Sequence, residues 1–167
     1  MPHLDAAFNL ARWLMGTDHD ADDVVQEACL RALRSAGTFR AGSDGRAWLL
    51  AIVRNASFDA LRKGKARAME ELEENVPIPG DSETFDPSEI FRRAADAQRV
   101  RDAIQSLPPG IREVIVLREM EGFSYKEIAG IVQTPIGTIM SRLARGRQRL
   151  AELLSEETKA TQIASEK

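Results

Sequence analysis

SYKEIAGIVQTPIGTIMSRLARGRQRL, Ser124 to Leu150, decides the fold. Ser124 is placed to cap a helix, and Glu127 three residues on completes a capping box. Ile128, Ala129, Ile131 and Val132 then supply a packing face, with the small Ala129 permitting close approach of a second helix. Gln133, Thr134, Pro135 and Ile136 give a turn of the length that separates the two helices of a helix-turn-helix. Gly137 and Thr138 open the next helix, Ile139, Leu143 and Leu150 anchor it, and Thr138, Ser141, Arg142, Arg145 and Arg149 fall on outward faces. A major groove accepts such a helix, whose N-terminal side chains read base edges while its arginines meet guanine or phosphate. The competing reading is a plain helical hairpin with a solvated arginine face.

Working outward, helical patterning continues on both sides. Leu107, Pro108 and Pro109 break the chain before a helix over Gly110 to Met120. Upstream, Ile90, Ala94, Ala97, Arg101 and Ile104 mark a helix between Ser88 and Ser106. At the N-terminus, Leu4, Phe8, Ala11 and Met15 share one face of a first helix that Gly16 stops. Asp18, Asp20, Asp22 and Asp23 open a second helix, where acids favour the exposed amides. That helix is expected to turn Val25, Ala28, Cys29, Ala32 and Leu33 inward and to end near Gly37. A loop, Phe39 to Gly45, leads into a third helix from Arg46 to about Lys63 with Leu49, Ile52, Val53, Ala56 and Ala60 buried. The tail from Ser155 is polar enough to fray.

The expected class is therefore all-α: two small helical domains, 1–67 and 90–155, joined by a flexible acidic linker over 68–89 and followed by a polar tail, 156–167. Charge supports that division. The net charge of −3 looks wrong for a nucleic-acid binder until the charges are placed along the chain. Arg40, Arg46, Arg54, Arg62, Lys63, Lys65 and Arg67 face only Asp44 and Asp59. Glu70 to Glu89 holds eight acids and no base. From Ser124 to Leu150, Lys126, Arg142, Arg145, Arg147 and Arg149 face only Glu127.

Other classes fit poorly. No run of about 18 apolar residues or signal sequence appears, so no membrane insertion and a cytoplasmic location are expected. Cys29 is the single cysteine and lies on an apolar stripe, as buried filler. His3 and His19 are isolated, and no phosphate loop or nucleophile motif is present, so neither catalysis, a metal nor a cofactor is expected.

Leu107 to Leu150 closely resembles region 4 of the extracytoplasmic-function sigma factors of bacterial RNA polymerase. DADDVVQEACLRAL, Asp20 to Leu33, resembles their region 2.2, and RAWLLAIVRNASFDALRK, Arg46 to Lys63, resembles regions 2.3 and 2.4. The resemblance implies a subunit that binds core RNA polymerase and directs promoter-specific initiation. Asp22, Asp23, Gln26, Glu27 and Arg31 match the helix that docks on the clamp coiled coil of the largest subunit. Phe39 to Gly45, including Arg40, Ser43 and Asp44, matches the loop that captures a flipped base of the −10 element. Trp48 matches the aromatic at the upstream edge of the melted segment, although a core aromatic is an equal reading. Arg54, Asn55, Arg62 and Lys63 fall on the same DNA-facing helix, the basic residues suiting phosphate better than base.

In the second domain Thr138, Ser141, Arg142 and Arg145 match positions that enter the groove at the −35 element, with Arg147 and Arg149 nearer the backbone. Met140 departs from the lysine or arginine of many relatives and suits a thymine methyl. Gln133 stands where glycine is common, and Gly130 and Gly146 lie within helices, where each costs up to about 1 kcal/mol against alanine. Leu107 to Met120 matches the part that meets the flap of the second-largest subunit. An anti-sigma factor that clamps both domains is the implied regulator. The rival reading is a sigma-like decoy that sequesters an anti-sigma factor without touching DNA.

Overall fold

The computed structural model describes residues 2–39, 42–71 and 90–165. Among these there is no strand, and helices follow one another as α1 (Leu4–Met15), α2 (Asp18–Ser35), α3 (Gly45–Glu71), α4 (Ile90–Gln105), α5 (Pro109–Ile115), α6 (Tyr125–Val132) and α7 (Ile136–Ser165). The expected linker lies mostly outside the described residues, as do Arg40 and the side chains at Ile90 and Ala94.

The first half is a three-helix unit. Gly16 ends α1 in the left-handed region, φ +87°, and its N–H donates to the Arg12 carbonyl at 2.9 Å. Only glycine takes that conformation without steric cost. Thr17 then caps α2, its hydroxyl oxygen accepting from the Asp20 N–H at 3.1 Å. The buried stripe comprises Ala7, Leu10, Ala11 and Leu14 on α1, Ala21, Val24, Ala28 and Ala32 on α2, and Leu49, Leu50, Val53 and Ala56 on α3. So many alanines let the three helices approach closely, while a fully buried Leu10 or Leu50 contributes about 1.5–3 kcal/mol.

Several expectations are corrected here. Leu33 is 65% exposed and Cys29 only half-buried, because the apolar stripe of α2 runs through its small residues, one helical position round from the large ones. Ile52 and Ala60 are half-buried, and the core of α3 is completed by Leu50 and Ser57. Ala97 and Arg101 are exposed, and Ala103 and Ile104 face in. Instead of fraying at Ser155, α7 continues to Ser165; its polar sequence is rich in good helix formers, which carry the helix on.

In the second half α5 starts with Pro109 in its first turn, where the missing N–H costs nothing. From Val116 to Met120 the helix widens into a π turn, and the Glu121 N–H bonds back to the Val116 carbonyl at 3.1 Å. Such turns are rare and mark special sites. Gly146 explains its own presence: a Cβ there would come within 2.8 Å of the Ile115 side chain and 2.9 Å of Ile111. The two halves pack against each other, α1 on α5 and α3 on α6, and their buried apolar residues form one continuous core.

Candidate nucleic-acid interface

The turn between α6 and α7 is built by short-range chemistry. The capping box is complete: the Ser124 hydroxyl oxygen accepts from the Glu127 N–H at 3.3 Å, and the Glu127 carboxylate accepts from the Ser124 N–H at 2.7 Å. These bonds hold the Glu127 carboxyl below its ordinary pKa, the Ser124 side chain contributing most. Gln133 takes φ +54°, which is why glycine would suit its position. The Pro135 carbonyl then receives the Thr138 and Ile139 N–H groups at 2.9 and 3.2 Å, and α7 begins.

Along α7, Ile139 and Leu143 are buried and Leu150 is half-buried. Ser141 is exposed and donates to the Thr138 carbonyl at 3.0 Å, with Thr138 half-buried beneath it. Arg145 is exposed and donates to the Ser141 carbonyl and hydroxyl, both at 3.4 Å. Ile136 and Met140 lie beside them at 48% and 53% exposure. Arg147 is drawn sideways onto Glu119 at 2.6 Å, a contact that raises the pKa of its guanidinium. Arg149 reaches Glu152 at 3.3 Å. Arg142 instead turns inward, to Glu113 at 3.4 Å.

In the first half, Phe39 and Trp48 meet edge to face with ring centroids 5.2 Å apart. With Pro2, His3, Gly45 and Leu49 they line an apolar pocket at the N-terminus of α3. Trp48 packs against the core, as its core reading expects, and also lines this pocket. Ser43 is exposed in the loop before α3. Asp44 acts structurally, its carboxylate accepting from the N–H groups of Arg46 and Ala47 at 2.8 and 3.3 Å and so starting α3. Farther along, Asn55 and Lys63 are exposed, and Arg62 is exposed but ion-paired with Asp59. Arg54 turns inward, over the Phe58 ring and onto Glu113 at 2.7 Å.

The residues expected to dock on the polymerase divide likewise. Asp22, Asp23 and Gln26 are exposed on α2. Glu27 and Arg31 instead belong to a network, Arg31 reaching Glu27 at 2.8 Å and Asp59 at 2.7 Å, which ties α2 to α3. The Arg31 hydrogen bond holds both carboxyls below their ordinary pKa values, Arg62 adding to the effect at Asp59.

Residues 1–67 match the family model Sigma-70 region 2, and residues 97–150 match Sigma-70, region 4. The chain belongs to the extracytoplasmic-function RNA polymerase sigma factors. It is 34% identical over 160 residues to ECF RNA polymerase sigma factor SigE of Mycolicibacterium smegmatis, covering 95% of this chain and 61% of that protein's length. With ECF RNA polymerase sigma factor SigM of Mycobacterium tuberculosis it shares 37% identity over 145 residues, 87% of this chain and 69% of that one. Among solved structures it is similar to the sigma factor RpoE in complex with the anti-sigma factor NepR from Bartonella quintana, at a TM-score of 0.74 and 32% identity over 91% of both chains. It is also similar to CnrH in complex with the cytosolic domain of CnrY, at 0.63 and 28%, over 91% of this chain and 82% of that one.

This sigma factor also carries residues that sequence reasoning missed. Leu30 and Leu33, 48% and 65% exposed, continue the line of Asp23 and Gln26 at helical spacing and make one mixed stripe on α2. Their signal was present in the 3-4-3 spacing of Asp23, Gln26, Leu30 and Leu33. Glu113, fully buried, and Glu121, 9% exposed, gave no signal among the many surface acids. Burial pushes the Glu113 carboxyl above its ordinary value, with Arg54 and Arg142 opposing that shift. Arg112 donates to carbonyls at both helix ends it faces, Trp13 at 3.1 Å and Leu14 at 3.3 Å on α1, and Ile104 at 3.2 Å and Gln105 on α4. A cation at a helix C-terminus is favourable, and burial lowers the pKa of this one. Among the described residues no group of histidine, cysteine or acidic side chains is disposed to hold a metal, and no helix is long and apolar enough to cross a membrane.

Proposed function

We propose that the chain binds core RNA polymerase, docks the Asp22, Asp23, Gln26, Leu30 and Leu33 stripe of α2 on the clamp coiled coil of the largest subunit, and directs initiation at promoters read by its two basic helices. The observation that carries this reading is the aromatic-walled pocket of Phe39 and Trp48 at the head of α3. A base that leaves the stack costs a few kcal/mol, which stacking on an aromatic wall and cationic phosphate contacts offset. Lys63, Arg62 and Asn55 follow the pocket along the same helix and suit the backbone of the opening −10 segment.

At the −35 element Ser141 and Arg145 face base edges, and Ile136 with Met140 offer an apolar surface to thymine methyls. Arg147 and Arg149, each turned to a neighbouring acid, stand closer to phosphate. The α5 segment meets the flap of the second-largest subunit. An anti-sigma factor controls the protein, as the solved complex of the sigma factor RpoE with the anti-sigma factor NepR illustrates for a similar sigma factor.

Core bacterial RNA polymerase freed of sigma, supplied with the purified chain and a genomic DNA library, tests the proposal. Transcript starts that share two spaced upstream elements are the expected result. Folded protein that gives neither core binding nor specific starts, yet captures an anti-sigma factor, would establish the decoy instead.

A further inference from the structure

The halves of the chain are joined by ion pairs that involve both basic helices. One fully buried carboxylate, Glu113, holds an arginine from each: Arg54 of α3 at 2.7 Å and Arg142 of α7 at 3.4 Å. A second, Glu121, follows the π turn and ion-pairs with Arg46 at the start of α3, while Asn9 of α1 donates to it at 2.6 Å. Arg46 also lies over the Phe123 ring, 4.7 Å from its centroid, and donates to the Glu121 carbonyl at 3.0 Å. Both acids sit on the second half, and Arg54, Arg46 and Asn9 on the first. In each pair the carboxylate is buried while the arginine stays partly exposed, so losing the arginine leaves a buried charge without compensation.

We propose that Glu113 and Glu121 form an intramolecular latch that keeps the free chain closed, withdrawing the −10 and −35 surfaces from DNA together until the halves separate. Elements about 25 base pairs apart lie roughly 85 Å from each other on B-DNA at 3.4 Å per base pair, whereas a single carboxylate here spans from α3 to α7. Both elements are therefore out of reach of the closed form at the same time. The closure itself is independent of how the chain reads DNA. The withdrawal rests on the proposed DNA-reading roles of α3 and α7.

Charge reversal on the full-length chain separates the two. Arg46 and Glu121 are the pair to exchange, since neither is assigned a DNA contact. Small-angle scattering is expected to show a compact wild type, radii of gyration several ångströms larger for Arg46→Glu and for Glu121→Arg, and a return to the wild-type value in the double exchange. Binding of a random-sequence duplex of about 40 base pairs by the free chain is expected to rise about tenfold in both single variants, in proportion to the open fraction. A bare charge effect would move the two in opposite directions. Far-UV circular dichroism checks the fold, and Arg46→Gln replaces any reversal that unfolds. An extended wild type, or folded single variants as compact as wild type, would overturn the latch; larger radii without tighter DNA binding would overturn the withdrawal while leaving core-polymerase activity as a separate question.

Discussion

Each of the two basic helices has an arginine turned in and an arginine turned out. On α3 the inward arginine is Arg54 and the outward one Arg62; on α7 they are Arg142 and Arg145. The inward pair converges on the same buried carboxylate. The outward pair differs. Arg62 is ion-paired with Asp59, which also binds Arg31 and so belongs to the scaffold joining α2 to α3. Arg145 is held only by the hydroxyl and carbonyl of Ser141 among the described residues, beside the exposed Ile136 and Met140. A neutralised cation suits a general electrostatic role, and a lightly held one next to apolar and hydroxyl groups suits reading base edges. Charge counted along the sequence thus overstates the charge that the free chain presents.

What lies beneath the helices differs too, and the largest expected effect concerns that difference. Gly146→Ala on the inward side of α7 drives a methyl into Ile111 and Ile115 and should destabilise the protein by about 1–3 kcal/mol, seen as a lower thermal midpoint. Gly130→Ala, with open space around it, should instead raise stability by up to about 1 kcal/mol. Equal effects would mean that α7 packs no more tightly than the outer face of α6. A smaller effect is expected at the scaffold under α3. Asp59→Asn should cost about 0.2–1 kcal/mol at neutral pH, the range for a partly exposed pair. Because Arg31 and Arg62 lower the Asp59 pKa in the folded chain, its contribution is complete above the unfolded value near about 3.9 and is lost as pH falls toward the folded value. Wild type and Asp59→Asn should therefore converge in stability in acid, and a constant gap in urea titrations across that range would assign the effect to packing.

Much of the scaffold is legible in the sequence because it rests on local rules. The capping box at Ser124, the Gly16 stop and the Tyr125–Val132 helix follow from side chains acting on nearby backbone. The family resemblance marks Gln133 as a place where glycine is common, and its positive φ gives the reason. Less legible is everything set by contact between distant segments. Leu33 has the spacing of a core residue on α2, yet the neighbouring helices come close enough for only the alanine side to be buried. The family resemblance puts Arg54 and Arg142 among expected DNA contacts, but nothing local marks Glu113, 59 and 29 residues away, as the group that holds them. The family resemblance puts Asp44 in the −10 loop; its capping of α3 is a short-range role that the loop-to-helix boundary already allows.

The comparison of outward arginines is tested most directly on the assembled polymerase. Holoenzyme carrying Arg145→Ala or Arg62→Ala would be titrated against a promoter recovered from the start mapping and against copies with single mismatches in the −35 element. The account predicts that Arg145→Ala lowers discrimination at one or two −35 positions, by about 1–3 kcal/mol, while Arg62→Ala weakens matched and mismatched promoters alike. Equal losses from both substitutions on every promoter would contradict it.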